Sequence, residues 1–402
     1  MWRLPLLLAA LTAILLLTTG CVSVAQPSGW AGPSLGDGRL VIHSQRDKLA
    51  AVDIESLQVV WEFPTGQKHG DGTKFNLQGI YGNPAIANGA VYFGAYDGWV
   101  YALDLASGQL KWEVNVGGHV IGGVVLAGGY AYVGSSNNDL YALDPATGAQ
   151  RWRFSAGDDI WATPLVDAGV VYVASMDKNL YALDAADGSQ RWPKAFAADG
   201  ALASAPVLAD GALLVGGFDR RLYAVDAASG EERWSFKADN WFWAQPLAIG
   251  DTVYAGSLDG NLYALALADG KPRWPKPFDL EAPVRAAPVM VGDILLVAGR
   301  QGRLAALNPA SGELVWALPI ELAKTLLADP LVEGDVAYFS AQGGDIYKVS
   351  PKEGSAVRLA LFEPATPVAS PTLAPGTPAS TPAPSPTPSS AAEASPTQVE
   401  TP

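Results

Sequence analysis

The sequence predicts an all-β fold, an eight-bladed β-propeller of four-stranded antiparallel blades, and three periodic signals predict it. The phrase Tyr-Ala-Leu-Asp recurs in close variants, most legibly at Tyr101–Asp104, Tyr141–Asp144 and Tyr181–Asp184. A Trp follows the Asp slot by eight residues in seven copies, at Trp61, Trp112, Trp152, Trp192, Trp234, Trp274 and Trp316. A Pro precedes that slot by twenty residues in seven copies, at Pro33, Pro84, Pro164, Pro206, Pro246, Pro288 and Pro330. A period near 40 residues that holds four short apolar runs is the sequence form of a propeller blade.

One unit shows why. Residues 164–192 contain runs rich in Val, Tyr, Leu and Trp, separated by turns bearing Asp, Asn and Gly. That is the hairpin pattern. A four-stranded sheet with two apolar faces and no covering helix buries both by stacking on its neighbours, and a closed ring leaves no terminal blade uncovered. The periodic Trp is expected to fill the gap between adjacent blades, where a large ring buries most area. The Asp and Gly of each Asp-x-x-x-Gly turn suit a tight turn through a side-chain acceptor and a positive φ.

The register gives the blade number. Pro slots fall at 33, 84, 124, 164, 206, 246, 288 and 330, with Val124 replacing Pro in the third copy and Arg358 replacing Trp in the eighth. Six of the seven spacings are 40 or 42 residues and the first is 51, which places one insertion in the stretch Thr65–Ile80. No helix of convincing amphipathicity interrupts the repeats.

Both ends are different material. Residues 1–20 read as a lipoprotein signal peptide: Arg3, an apolar run from Leu4 to Leu17, then Thr-Thr-Gly before Cys21. Cys21, the one cysteine of the chain, stands where a bacterial lipobox places its acylated thiol, although Thr18 replaces the usual Leu; an ordinary secretory signal is the alternative. Two or three acyl chains anchor a protein stably, at about 0.8 kcal/mol per buried methylene. Residues 21–28 are a tether and 29–362 the propeller. Residues 363–402 are a Pro-, Thr-, Ser- and Ala-rich tail, expected to be disordered. It suits an O-glycosylated or wall-threading segment, or an inert spacer.

Composition narrows the class. Only 16% of residues are charged and the net charge is −14. An acidic chain without a Lys/Arg cluster argues against nucleic acid and against electrostatic docking on anionic lipid.

With its Tyr-Ala-Leu-Asp-x-x-x-Gly core and trailing Trp, the repeat resembles the quinoprotein-like (PQQ-type) propeller repeat over the whole 29–362 body. In layout the chain is similar to the propeller lipoproteins of the outer-membrane-protein assembly machinery, which implies a non-catalytic scaffold for envelope proteins. The other branch, the quinone-dependent dehydrogenases, implies Ca²⁺ held by carboxylate and amide oxygens, a carboxylate base and basic groups facing the quinone. His43, His69 and His119 fall in unrelated contexts without metal-ligand spacing. Asp97, Asp177, Asp219 and Asp259 recur at one hairpin turn and read as turn formers. No catalytic residue, metal site or cofactor is therefore expected.

A binding face is expected where the lead-in loops to the innermost strands converge with the loops joining second and third strands. Three residues before each Pro slot stand Trp30, Tyr81, Ile121, Trp161, Ala203, Trp243, Arg285 and Leu327. Trp30, Tyr81, Trp161, Trp241, Trp243 and Arg285 are the candidate contacts. Aromatics at such a mouth anchor a peptide or stack a sugar; the other reading is that they plug the channel. The polar insertion Gln67–Lys74 is a second candidate contact or a tolerated surface loop. The expected partners are envelope proteins and, through the lipid, a bacterial membrane, with a glycan as the alternative ligand.

Overall fold

The computed structural model describes residues 29–44, 48–319 and 325–361. Cys21, the signal segment and the Pro-rich tail lie outside the described residues. The described chain forms eight four-stranded antiparallel sheets, each built from four consecutive strands. Blade 1 spans 34–63, blade 2 85–115, blade 3 125–155, blade 4 165–197, blade 5 207–237, blade 6 247–279, blade 7 289–319 and blade 8 331–359. The helical content among these residues is one 3₁₀ turn, Arg300–Gly302, between the second and third strands of blade 7.

The innermost hairpins show how the turns set the pleat. Asn88-Gly89 and Asp210-Gly211 carry positive φ at both central positions, 51° and 68° in the first pair and 45° and 68° in the second. That backbone twist matches two paired strands, and Asn, Asp and Gly tolerate it best.

The apolar core lies between the blades. Eight clusters of buried side chains each bridge one seam, from Trp61, Phe63, Phe93 and Tyr101 between blades 1 and 2 to Leu40, Ile42, Tyr338 and Ile346 between blades 8 and 1. The repeat Trp lies in seven of these seams. Each indole N–H donates to a backbone carbonyl in the next blade's Asp-x-x-x-Gly turn or its equivalent: Leu105, Pro145, Ala185, Ala227, Leu267, Pro309 and Pro351, at 2.7–3.1 Å. The ring also lies over that turn's glycine. A Cβ on Gly108, Gly148, Gly188, Gly230, Gly270 or Gly312 would stand 2.6–2.7 Å from it. These glycines thus serve both the positive φ and the close approach of the ring.

The eighth seam departs from this rule in a coordinated way. In blades 1, 2, 3, 5 and 7 a β-bulge precedes the Asp slot, and Trp pairs with the residue two before that slot, as Trp112 does with Ala102. Blade 8 has no such bulge. Lys348 therefore faces Val357, while Arg358 pairs with Tyr347 and ion-pairs with Asp345 at 3.1 Å. A one-residue slip exchanges the two faces of a strand, so Arg358 aligns with the Trp slot in sequence but Val357 occupies it in space. The facing turn of blade 1, Asp53–Leu57, has Leu57 at φ 56° where the others have Gly. With no indole above it, that turn has no ring to clear, and Leu57 packs into the Leu40–Tyr338 cluster instead.

Candidate functional site: the aromatic mouth of the channel

All eight residues three before the Pro slots line one cavity of about 340 Å³ at the propeller axis. The lead-in loops are held beside the second-to-third-strand loops by shared hydrogen bonds. Gly157 N–H donates to Asp177 at 2.6 Å, Gly200 N–H to Asp219 at 3.0 Å and Asp239 N–H to Asp259 at 3.1 Å. The recurrent aspartates are turn formers as expected and also clasp the repeat tyrosine. Tyr101, Tyr181, Tyr223 and Tyr263 donate their hydroxyls to Asp97, Asp177, Asp219 and Asp259 at 2.5–2.8 Å.

The ring residues form a continuous arc. Trp161 approaches Trp243 at 6.4 Å between ring centres, and Trp243 stacks on Phe218 at 5.3 Å. The Arg285 guanidinium carbon lies 4.2 Å from the ring centres of both Trp243 and Trp30. Trp30 meets Tyr81 edge-on at 4.3 Å, Tyr81 meets Tyr96 at 5.4 Å, and Tyr96 stacks on His119 at 3.8 Å. Trp241 is the candidate that the structure places outside the cavity. It stacks on Phe218 at 4.5 Å on the outer side of the arc and is 40% exposed.

One layer deeper, sequence reasoning missed an alternation. Immediately before the Pro slot, blades 2, 4, 6 and 8 carry Asn83, Thr163, Gln245 and Asp329, whereas blades 1, 3, 5 and 7 carry Gly32, Gly123, Ala205 and Ala287. In three of these pairs the polar side chain accepts from the small residue's backbone N–H. Gly32 donates to Asn83 at 2.6 Å, Gly123 to Thr163 at 2.7 Å and Ala287 to Asp329 at 2.7 Å. Burial pushes the Asp329 carboxyl above the usual carboxylate range, against the pull of the Ala287 N–H. Buried backbone donors need acceptors, and these side chains supply them across the blade boundary. The signal was present in the aligned repeats as a two-blade period.

The insertion is also more ordered than a free surface loop. His69 is 6% exposed and stacks on Trp99 at 4.4 Å. Its Nδ1 lies 3.0 Å from Glu113 Oε2, and Gly70 N–H donates to Glu113 Oε1 at 2.8 Å. His43 is buried, and burial pulls its pKa down to about 4. Among the described residues no group of three or more His, Cys, Asp or Glu side chains is placed to hold a metal ion.

Comparison with known proteins gives this geometry a family. The family model described as outer membrane protein assembly factor BamB matches residues 96–202 and 194–369, well over half of the chain. The chain belongs to the BamB family of PQQ-type propellers. A second model, the propeller domain of glucose, ethanol and alcohol dehydrogenases, matches residues 36–122. BamB of Escherichia coli K12 is 32% identical over 89 residues, which cover 22% of this chain and 23% of that protein. BamB of Alkalilimnicola ehrlichii is 28% identical over 98 residues, covering 24% and 26%. The chain thus matches about a quarter of the length of these curated relatives. In fold, BamB from Moraxella catarrhalis superposes with a TM-score of 0.64 at 19% identity, over 81% of this chain and 94% of the other. The computationally designed Ika8 protein gives 0.66 at 13% identity, over 81% and 96%.

The dehydrogenase model raises the question of a quinone and its calcium ion. The BamB-family mouth of this chain does not fit them. Among the described residues Asp329 is the one carboxylate lining the mouth, and it, Asn83 and Thr163 already accept from backbone N–H groups of neighbouring blades. The Arg285 guanidinium carbon is already held over the rings of both Trp30 and Trp243.

Proposed function

We propose that this propeller is a non-catalytic, lipid-anchored scaffold of the bacterial envelope that docks proteins through its channel mouth. The observation that carries the reading is the aromatic arc from Trp241 to His119. It is drawn from the loops of blades 1 to 7, with Arg285 of blade 7 joining Trp243 to Trp30, and it is set on the loops that a propeller fold leaves free to vary. Large rings with polar edges suit protein contacts, and membership of the BamB family supports an envelope-assembly role. Turn and inter-blade bonding of the conspicuous carboxylates supports the non-catalytic reading. Anchoring rests on the sequence around Cys21: Cys21→Ala should abolish incorporation of a labelled fatty acid and release the protein from membranes.

The docking role is tested by chemical crosslinking and affinity recovery from the native envelope, comparing the wild type with the Trp161→Ala/Trp243→Ala double variant. The proposal predicts envelope proteins that the wild type retains and the variant loses. Equal recovery by both contradicts docking through the mouth. A glycan is the second reading, favoured by the exposed Trp241 face. Glycan-array binding lost with Trp241→Ala, in the absence of variant-sensitive protein partners, would establish it.

A further inference from the structure

The propeller architecture accounts for the repeat Trp, the turn Asp and the inter-blade acceptors, but not for Arg285. This side chain is half-buried in the mouth, and among the described residues it makes no hydrogen bond or ion pair. Its Nε is buried without an acceptor. Burial, with the like charge of Arg300 adding to it, pulls its pKa down to about 10, which leaves it a cation at neutral pH. A cation partly withdrawn from water without an acceptor is costly. The indoles of Trp30 and Trp243, each 4.2 Å from the guanidinium carbon, offset part of that cost. These ring contacts give its N–H donors no acceptor, however. Its five N–H donors lie in the plane, in a fork that matches a planar oxyanion.

The geometry points to a monocarboxylate-binding site in the mouth, taking a planar carboxylate carried on an apolar body. The carboxylate would meet the N–H fork of Arg285, beside the indoles of Trp30 and Trp243. The body would lie against Ile121, Trp161, Ala203 and Leu327, apolar side chains lining the same cavity. A volume of about 340 Å³ holds one such group and lies at the small end of ligand sites, which run from about 300 Å³. Asp329 lines the cavity too. One fork beside one carboxylate favours a single negative charge over phosphates or polycarboxylates. The inference stands apart from protein docking: the ligand chemistry is shared by a free organic acid and by the terminal residue of a polypeptide.

Calorimetric titration with two acid/amide pairs tests it. The first pair is 3-phenylpropionate and 3-phenylpropionamide; the second is acetyl-Ala-Ala-Leu as free acid and as amide. In at least one pair the acid should bind tighter than its amide by about ten-fold or more, as for a charge-assisted hydrogen-bonded pair. Preference confined to the first pair identifies a free acid as ligand, and preference confined to the second a chain terminus. Arg285→Met, which keeps the stem, should erase the preference. Arg285→Lys, which keeps charge but not the fork, should reduce it. The wild-type comparison stands by itself if Arg285→Met fails to fold. Equal binding of acid and amide in both pairs, or no binding of either pair at about 10 mM, overturns the proposal and leaves Arg285 a structural wedge between two indoles.

Discussion

The Trp192 indole N–H donates to the Ala227 carbonyl at 3.1 Å, and the same ring closes over Gly230, where a Cβ would stand 2.7 Å away. One residue thereby fills the seam between blades 4 and 5 and fixes the backbone of the turn across it. Trp192→Ala should cost about 3–5 kcal/mol, the range for deleting a large core aromatic. Gly230→Ala should also destabilise, because φ there is +78° and the ring is in the way. In the Trp192→Ala background the added methyl has room, so its cost should shrink. Urea midpoints of the four proteins check this, and strict additivity would contradict it.

Mouth aromatics should behave differently. Trp161 donates to Asp159 at 2.9 Å and Trp241 leans on Phe218, but neither lies in a buried seam cluster. Trp161→Ala and Trp241→Ala should each cost less than about 1 kcal/mol by thermal or urea denaturation. A loss comparable with Trp192→Ala would show that they plug the channel.

Acid titration of stability should carry the signature of Asp97. Burial pushes its carboxyl from 3.8 up to about 6, while hydrogen bonds from Tyr101 and the Trp99 N–H pull the other way. The folded state therefore binds this proton more tightly than the unfolded chain. Its contribution to stability is fully present below about pH 4 and is lost as pH rises through about 6. Asp97→Asn abolishes this titration and adds a roughly constant offset for the altered turn. The melting temperature of the variant minus that of the wild type should increase between pH 4 and pH 7; a decrease would reverse the assigned sign.

Glu113 tests the latch on the insertion. Glu113→Ala leaves both the buried His69 ring and the Gly70 N–H without this acceptor. Unmaking such bonds costs about 1–3 kcal/mol locally. Tryptic cleavage at Lys68 and Lys74 should accelerate by about ten-fold while the global melting temperature moves by only a few degrees. Unchanged cleavage would show that the Glu113 bonds do not hold the insertion.

Much of this was legible before the fold was in hand. Propeller repeats place equivalent residues at equivalent radii, so the register alone brought Trp30, Tyr81, Ile121, Trp161, Ala203, Trp243, Arg285 and Leu327 to one cavity. What escaped is relational. The clasp of Arg285 joins side chains from three lead-in loops, 213 to 255 positions from the first, and no single repeat contains it. The acceptors Asn83, Thr163 and Asp329 act on the neighbouring blade, a two-blade pattern hidden within a one-blade period. Sequence proximity puts Trp241 beside the slot residue Trp243 among the candidates, yet the loop turns Trp243 into the cavity and Trp241 outward. The blade 8 slip was invisible because a missing bulge leaves the letters aligned while exchanging the faces.

Site-specific photo-crosslinking in the native envelope tests the central claim most directly. A photoreactive residue is placed at Trp241 on the mouth face or at Ser229 in the exposed Asp226–Gly230 turn at the other end of the blades. The account predicts discrete protein adducts from position 241 that vanish in the Trp161→Ala/Trp243→Ala background, and none from position 229. Adducts from position 229 with none from position 241 would place the working surface on the opposite face and contradict it.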